Sequence, residues 1–189
     1  MAVILDARPG RWTDNGTMQS EADRIRGYLV TQAARLSIPE LVEKLRRDAL
    51  PLRDVAGLVP PDRFRERPAG GEWSAAEVFT HILDMTEFGD AAIGAVIAGG
   101  QPPAMVRDAV SGGARDGLET AEDYWRAFEA MREPFYARVL EARGDEHLDV
   151  TITHPAFGPL SWREWALFMR VHDLDHLRQI QAIAERFSG

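Results

Sequence analysis

Residues 161–187 read SWREWALFMRVHDLDHLRQIQAIAERF, and this stretch decides the fold. Its apolar residues recur every three or four positions, a spacing that places side chains on one face of an α-helix. Ser161 followed by Glu164 is a capping box, in which each side chain accepts a hydrogen bond from a free backbone N–H at the helix start. We therefore predict a long final helix whose buried face carries Trp165, Phe168, Met169, His172, His176, Ile180 and Ile183.

Two further capping boxes open helices earlier in the chain. Ser74 with Glu77 starts a helix that is expected to end at residues 99–100, and its apolar stripe includes Val78, Ile82, Met85 and Ala92. Thr120 with Asp123 starts another helix, which Pro134 is expected to bend, and its inward face includes Tyr124, Phe128, Met131, Phe135 and Val139. Between them, residues 101–118 carry two prolines and three glycines and are predicted to form a long connection.

A fourth helix is predicted before these two. Ser37 followed by Pro39 and Glu40 favours a helix start, because the hydroxyl can accept a free N–H and proline in the first turn loses no partner. The helix is expected to continue to about Val59. Pro51 lies inside it and is expected to kink or break it, because proline cannot donate the backbone hydrogen bond of the helix.

The N-terminal segment is interpreted as an extension of the bundle. Residues 1–19 show no helical periodicity and predict a loose arm, and Ser20 is a candidate cap for a short helix that ends near Leu36. We therefore divide the chain into an N-terminal arm and short helix, 1–36, and a helical domain, 37–189.

The segment before the last helix is the only one that indicates strands. Residues 148–160 alternate weakly between apolar and polar residues and contain His154-Pro155 and Gly158-Pro159, which predict a small hairpin or an irregular loop. Four amphipathic helices without a sheet can bury their apolar stripes only against one another. We therefore predict an all-α fold, a four-helix bundle with an N-terminal extension and this hairpin or loop before the last helix.

The composition restricts the classes of function. The chain of 189 residues contains no cysteine, so it supplies neither a thiolate nucleophile nor a sulfur-rich metal site. Any metal must then bind imidazole or carboxylate groups. The formal net charge is -8 and the pI is near 5.1, which argues against nucleic acid and anionic membranes as partners because both attract basic surfaces.

No stretch of the sequence predicts export or membrane insertion. The opening residues MAVILD lack the basic region of a signal peptide, and no apolar run approaches the roughly 18 residues of a membrane span. The absence of cysteine fits a reducing compartment. We therefore expect a cytoplasmic protein.

The histidines are the candidate functional residues. His172 and His176 lie four positions apart, so a helix places both imidazoles on one side, where they can chelate one ion at roughly 2.0 to 2.1 Å. His81, on the core-facing stripe of its own helix, is the candidate third ligand. Three imidazoles leave a coordination position open for water or substrate, as in catalytic zinc sites. Asp84 and Gln179 are predicted to orient the imidazoles of His81 and His176.

The same spacing is compatible with buried histidines that bind no ion. Five histidines in a chain of this length give some pair four positions apart about one time in eight by chance. His147 and His154 are interpreted as surface residues, although His154 would approach the site if the hairpin folded over it. Neither a His-Glu-x-x-His motif nor a Ser-His-Asp set is present, so the catalytic group is left open between a metal-bound water and a thiolate.

The motifs GEWS at 71–74, HILD at 81–84 and HDLDHLRQI at 172–180 occur in this order. Together they resemble those of the DinB/YfiT-like superfamily of metal-binding four-helix bundles, over about residues 38–187. The resemblance implies a homodimer and one divalent metal ion, most often zinc or nickel. It also implies that the ion is bound by three histidines, which here are His81, His172 and His176.

The resemblance implies the residues of the metal site more specifically than it implies the reaction. Several relatives are transferases or isomerases that use the low-molecular-weight thiols bacillithiol, mycothiol or glutathione. We therefore expect a metal-dependent S-transferase that acts on a small-molecule substrate with an externally supplied thiol, or a metal-dependent hydrolase. The alternative is a non-catalytic, stress-associated module that binds a metal or a small ligand. The extension of about 36 residues departs from the family pattern and is a candidate to alter dimerisation or to cover the pocket.

Overall fold

A computed structural model describes residues 15–105 and 113–188, with side chains from residue 21 onwards. Within these residues the chain forms five α-helices, a single 3-10 turn at Pro61–Arg63 and one hairpin of two short strands. The predicted all-α fold is confirmed. The elements are α1 Asn15–Arg35, α2 Ile38–Ala56, α3 Ala75–Ile97, α4 Ala121–Glu141, β1 Ile152–His154, β2 Gly158–Leu160 and α5 Trp162–Ser188.

Four of the helices form the bundle. α5 packs between α2 and α3, and α4 packs against the same two helices from the other side. The order around the bundle is therefore α2, α5, α3, α4, which places the α3–α5 interface opposite the α2–α4 interface. α1 lies against α5 outside this ring and buries Leu29 and Ala33.

The start of α1 differs from the prediction. The helix begins at Asn15, five residues before the predicted cap at Ser20. Most of the predicted arm, residues 1–14, lies outside the described residues. The division of the chain at residue 36 stays a prediction.

Capping boxes fix the starts of the four bundle helices. At α3, the Ser74 hydroxyl accepts the Glu77 N–H at 3.1 Å, and the Glu77 carboxylate accepts the Ser74 N–H at 2.8 Å. The same reciprocal pairs occur at the starts of α2, α4 and α5. These helix starts depend on residues three positions apart, which is why the sequence predicts them. The pairs are Ser37 with Glu40, Thr120 with Asp123, and Ser161 with Glu164.

The prolines inside helices do not end them. α2 continues through Pro51 to Ala56, so the predicted break is wrong, and the helix ends three residues before the predicted Val59. Pro51 is exposed, so the carbonyl group that loses its partner one turn earlier faces solvent. Leu52 and Ala56 are buried beyond the proline and hold the last turn in the bundle. α4 likewise continues through Pro134.

The predicted hairpin precedes α5. β1 and β2 pair antiparallel, with Ile152 opposite Leu160 and His154 opposite Gly158. Gly158 has a φ of 72°, a left-handed conformation that favours glycine because a Cβ would clash with the backbone. Ile152, His154 and Leu160 are buried, so one face of the hairpin covers the core.

The interior consists of two apolar clusters with polar side chains between them. On α4 the clusters separate between Phe128 and Phe135, and on α5 they separate between Met169 and Ile180. The polar layer between the two clusters consists of buried polar residues from α3, α4 and α5. It contains the histidine cluster described below. No helix within residues 15–105 and 113–188 combines the length and apolarity needed to cross a membrane.

Candidate metal centre

Two helices bring the three predicted histidines together. His81 lies in the second turn of α3, after the capping box that fixes the start of this helix. His172 and His176 lie one turn apart in the middle of α5. The three residues are 5%, 1% and 3% exposed, respectively, so the core encloses all three imidazoles.

The same ring nitrogen of each histidine points to one centre. His172 Nε2 lies 2.9 Å from His81 Nε2 and 3.2 Å from His176 Nε2. Two nitrogens bound to one tetrahedral ion at roughly 2.0 to 2.1 Å lie about 3.3 Å apart, so the observed spacing matches a shared ion to within a few tenths of an ångström. The three side chains could hold one metal ion, since their ligand atoms all lie within 4.8 Å of one another.

Gln179 lies where the sequence places it, beside His176. Its Oε1 is 2.9 Å from His176 Nδ1. An amide oxygen can only accept, so Nδ1 carries the proton and Nε2 presents a lone pair to the centre. A hydrogen bond of this kind fixes the tautomer and the ring orientation of a metal-binding histidine.

The cluster lies close to a cavity at the protein surface. The Trp73 ring packs against His81 with the ring centroids 5.4 Å apart. Trp73 and Gln179 also line a surface cavity of about 460 Å³, whose charged lining residues are Glu72, Glu185 and Arg186. The side chains that contact two of the histidines therefore also face a space large enough for a small molecule.

Sequence comparison agrees with this geometry. The sequence profile of the DinB superfamily matches residues 41–180, a segment that includes all three histidines. The chain belongs to the DinB superfamily. A relative, the uncharacterized protein YuaE of Bacillus subtilis (strain 168), is 27% identical over 141 residues, which cover 66% of this chain and 85% of YuaE. The resemblance seen in the short motifs is thereby confirmed for most of the chain.

In this DinB bundle the imidazoles are held neutral. Burial, together with a smaller effect of the nearby His81, lowers the pKa of His176 to about 3, although the hydrogen bond with Gln179 opposes this. Burial also lowers the pKa of His172 well below its ordinary value, and both neighbouring histidines act in the same direction. Neutral imidazole is the form that binds a metal ion, so burial keeps these rings in the protonation state that a metal site requires.

Asp84 interacts with His81 through its charge. Its carboxylate accepts a hydrogen bond from the Arg115 guanidinium at 2.6 Å. The charge of Asp84 raises the pKa of His81, against the larger effect of burial, which lowers it. Among the described residues, no hydrogen bond reaches His81 Nδ1, so the orientation of this ring by Asp84 stays a prediction.

A buried ion pair next to the cluster was not predicted. Asp173 is buried and accepts two hydrogen bonds from Arg132, each at 2.9 Å. Arg132 Nε also donates to Thr86 at 3.0 Å. The available signal was the position of Arg132 on the apolar face of α4, four residues after Phe128.

The prediction that His154 lies at the surface is wrong. His154 is 4% exposed, and its ring stacks on Phe157 with the centroids 4.5 Å apart. Its Nδ1 accepts the backbone N–H groups of Ala156 and Phe157 in the hairpin turn. This satisfies two backbone donors of the turn, which explains a buried imidazole outside the histidine cluster. His147 is exposed, as predicted.

Proposed function

We propose that His81, His172 and His176 hold one divalent ion, zinc or nickel, and that the protein uses it to transfer a low-molecular-weight thiol to an electrophilic small molecule. The observation that supports this most directly is the convergence of three buried Nε2 atoms from two helices, with spacings of 2.9 and 3.2 Å. The proposal rests also on the superfamily, whose members include metal-binding proteins.

The ligand set determines the chemistry. His81, His172 and His176 would hold the ion, and a divalent ion bound by three imidazoles would lower the pKa of a thiol or water molecule that binds to it. The chain has no cysteine, so the thiol must be a separate substrate. Gln179 holds the His176 tautomer, and burial of the three rings excludes bulk water from their side of the site.

The surface cavity beside Trp73 and Gln179 is the proposed binding site of the thiol. Its charged residues are of both signs, with Arg186 lying 3.5 Å from Glu72. Low-molecular-weight thiols such as glutathione carry carboxylate and ammonium groups that match such a lining. In the transfer, the thiol gives its proton to solvent, and its sulfur forms a bond to the electrophilic carbon. The leaving group departs with the electrons of the broken bond.

The test combines metal analysis with turnover. Purified protein is analysed for transition metals and assayed with glutathione, bacillithiol and mycothiol, each with chlorodinitrobenzene, and separately with nitrophenyl acetate for hydrolysis. The wild type and His147→Ala, a control at an exposed histidine, are expected to contain one ion per chain and to transfer thiol. His176→Ala is expected to lose both properties.

The other outcomes discriminate between the alternatives. An ion without turnover of any substrate would favour the non-catalytic binding module. Hydrolysis without thiol transfer would favour metal-activated water. A wild type that takes up no zinc or nickel would refute the site itself. The proposal includes a homodimer, which light scattering of the purified protein would test by its mass.

A further inference from the structure

A second cavity lies on the opposite side of the bundle from the histidines. It is a groove of about 330 Å³ between α2 and α4, lined by residues of both helices. A volume of this size is at the lower end of the range that holds small ligands. The lining residues that matter here are Ala49, Leu50, Trp125, Phe128, Arg132 and Tyr136.

Three hydrogen-bond donors along this groove are buried without a partner among the described residues. They are Trp125 Nε1, Arg132 Nη1 and the Tyr136 hydroxyl. Positions 125, 132 and 136 are seven and four residues apart, so α4 presents all three side chains on one face. Buried donors normally find partners, because an unpaired donor lowers stability. Three such unpaired donors on one face of α4 therefore point to a ligand.

The arrangement around Arg132 leaves one of its nitrogens unused. Nε donates to Thr86 and Nη2 donates to Asp173, whereas Nη1 has no partner in the part of the chain that the structure describes. Arg132 is near enough to lower the pKa of Tyr136, although burial has the larger effect and raises this pKa to about 12. The two side chains thus lie next to each other.

The walls and charges of the groove define the class of ligand. Trp125 and Phe128 stack with their ring centroids 5.2 Å apart and form an aromatic wall of the groove. Three arginines and three glutamates line the groove, and Asp173 already neutralises Arg132, so one negative charge is left in excess. An anion would add an unbalanced charge, whereas unpaired donors need acceptor oxygens.

We propose that this groove binds a small neutral molecule with a flat apolar body and a carbonyl oxygen that accepts from Arg132 and Tyr136. The mouth is crossed by an ion pair between Arg46 of α2 and Glu133 of α4, at 2.6 Å. Both side chains are largely exposed, so the pair is weak and opens at little cost. The site is separate from the histidine cluster and does not depend on the reaction proposed there, although Arg132 also bonds to Asp173 next to His172.

The test uses acetophenone as a neutral carbonyl probe and benzoate as its anionic counterpart, with the full-length protein. Binding is followed through the indole N–H resonance of Trp125, which is assigned by its absence in Trp125→Phe. Acetophenone is expected to shift this resonance saturably and to bind more tightly than benzoate. Tyr136→Phe is expected to weaken acetophenone binding about 5- to 10-fold, because one hydrogen bond is lost.

Tyr124→Phe is the matched control, because the Tyr124 hydroxyl is buried but has partners in Thr80 and the Arg115 N–H. This variant is expected to bind acetophenone as the wild type does and to unfold at a lower denaturant concentration than the wild type. Tyr136→Phe, by contrast, is expected to unfold at no lower denaturant concentration than the wild type. The proposal is overturned if acetophenone gives no saturable shift, if benzoate binds more tightly, or if Tyr136→Phe binds as well as the wild type. Metal content in Tyr136→Phe, expected to be unchanged, separates this outcome from failure of the metal site.

Discussion

The Arg132 guanidinium holds the Asp173 carboxylate by two hydrogen bonds of 2.9 Å, immediately next to His172 in the chain. Burial raises the pKa of Asp173 to about 6, although the positive charge of Arg132 opposes this. Asp173 Oδ1 also lies 3.9 Å from His172 Nδ1. The pair therefore ties α4 to the turn of α5 that carries two histidines of the cluster.

Removal of one partner of this pair is expected to be costly. Asp173→Ala leaves a buried guanidinium without its counter-charge, so we expect the free energy of unfolding to fall by about 3 to 5 kcal/mol. Urea denaturation measures the loss. The double variant Asp173→Leu with Arg132→Met removes both charges and is expected to be more stable than Asp173→Ala alone. Equal stability of the single variant and the wild type would contradict the role of the pair.

Replacement of Gln179 is expected to weaken metal binding without unfolding the bundle. Gln179→Ala removes the acceptor at His176 Nδ1 and is expected to reduce metal affinity about 10- to 100-fold. A competition titration with a chromogenic chelator measures the affinity. Gln181→Ala is the matched control, because Gln181 is exposed on the same helix and bonds only to Glu185 among the hydrogen bonds described. Equal affinities of the two variants would argue against an orienting role for Gln179.

The cap of α3 is expected to matter more than the cap of α4. Ser74 is buried and Glu77 also pairs with Arg67, whereas the Thr120 cap is exposed. We expect Ser74→Ala to reduce the free energy of unfolding by about 1 to 2 kcal/mol and Thr120→Ala by about 0.5 to 1 kcal/mol. Urea denaturation of both variants at one pH compares them directly. A larger loss for Thr120→Ala than for Ser74→Ala would show that burial of the cap does not increase its contribution to stability.

His154 is expected to make stability depend on pH. Burial lowers the pKa of His154 from 6.5 to about 4. As the pH falls, this histidine is therefore protonated at a higher pH in the unfolded chain than in the folded protein. The stability contributed by neutral His154 is therefore complete above pH 6.5 and is lost progressively down to pH 4. The loss is at most about 3 kcal/mol.

His154→Asn tests this pH dependence, because an amide oxygen can accept the same turn N–H groups and does not titrate. Unfolding free energies of both proteins are measured across this pH range. The wild type is expected to lose more stability than His154→Asn on acidification. Parallel curves would mean that the protonation of this residue does not contribute.

Much of the fold follows from local sequence. The capping boxes act between residues three positions apart, and the apolar stripes repeat with the helical period, so helix starts and buried faces are encoded within each segment. The pairing of His172 with His176 is local for the same reason, since one helical turn joins them. Gln179 is within one turn of His176 and was predicted on this basis.

The sequence by itself thus determined the helices, their caps and two thirds of the histidine cluster. Only the tertiary structure decided that His81 meets His172, 91 positions away, and that Arg132 pairs with Asp173, 41 positions away. It also decided that His154 is buried. The physical reason is that these contacts depend on how helices and the hairpin pack across the bundle, and no local periodicity encodes that packing.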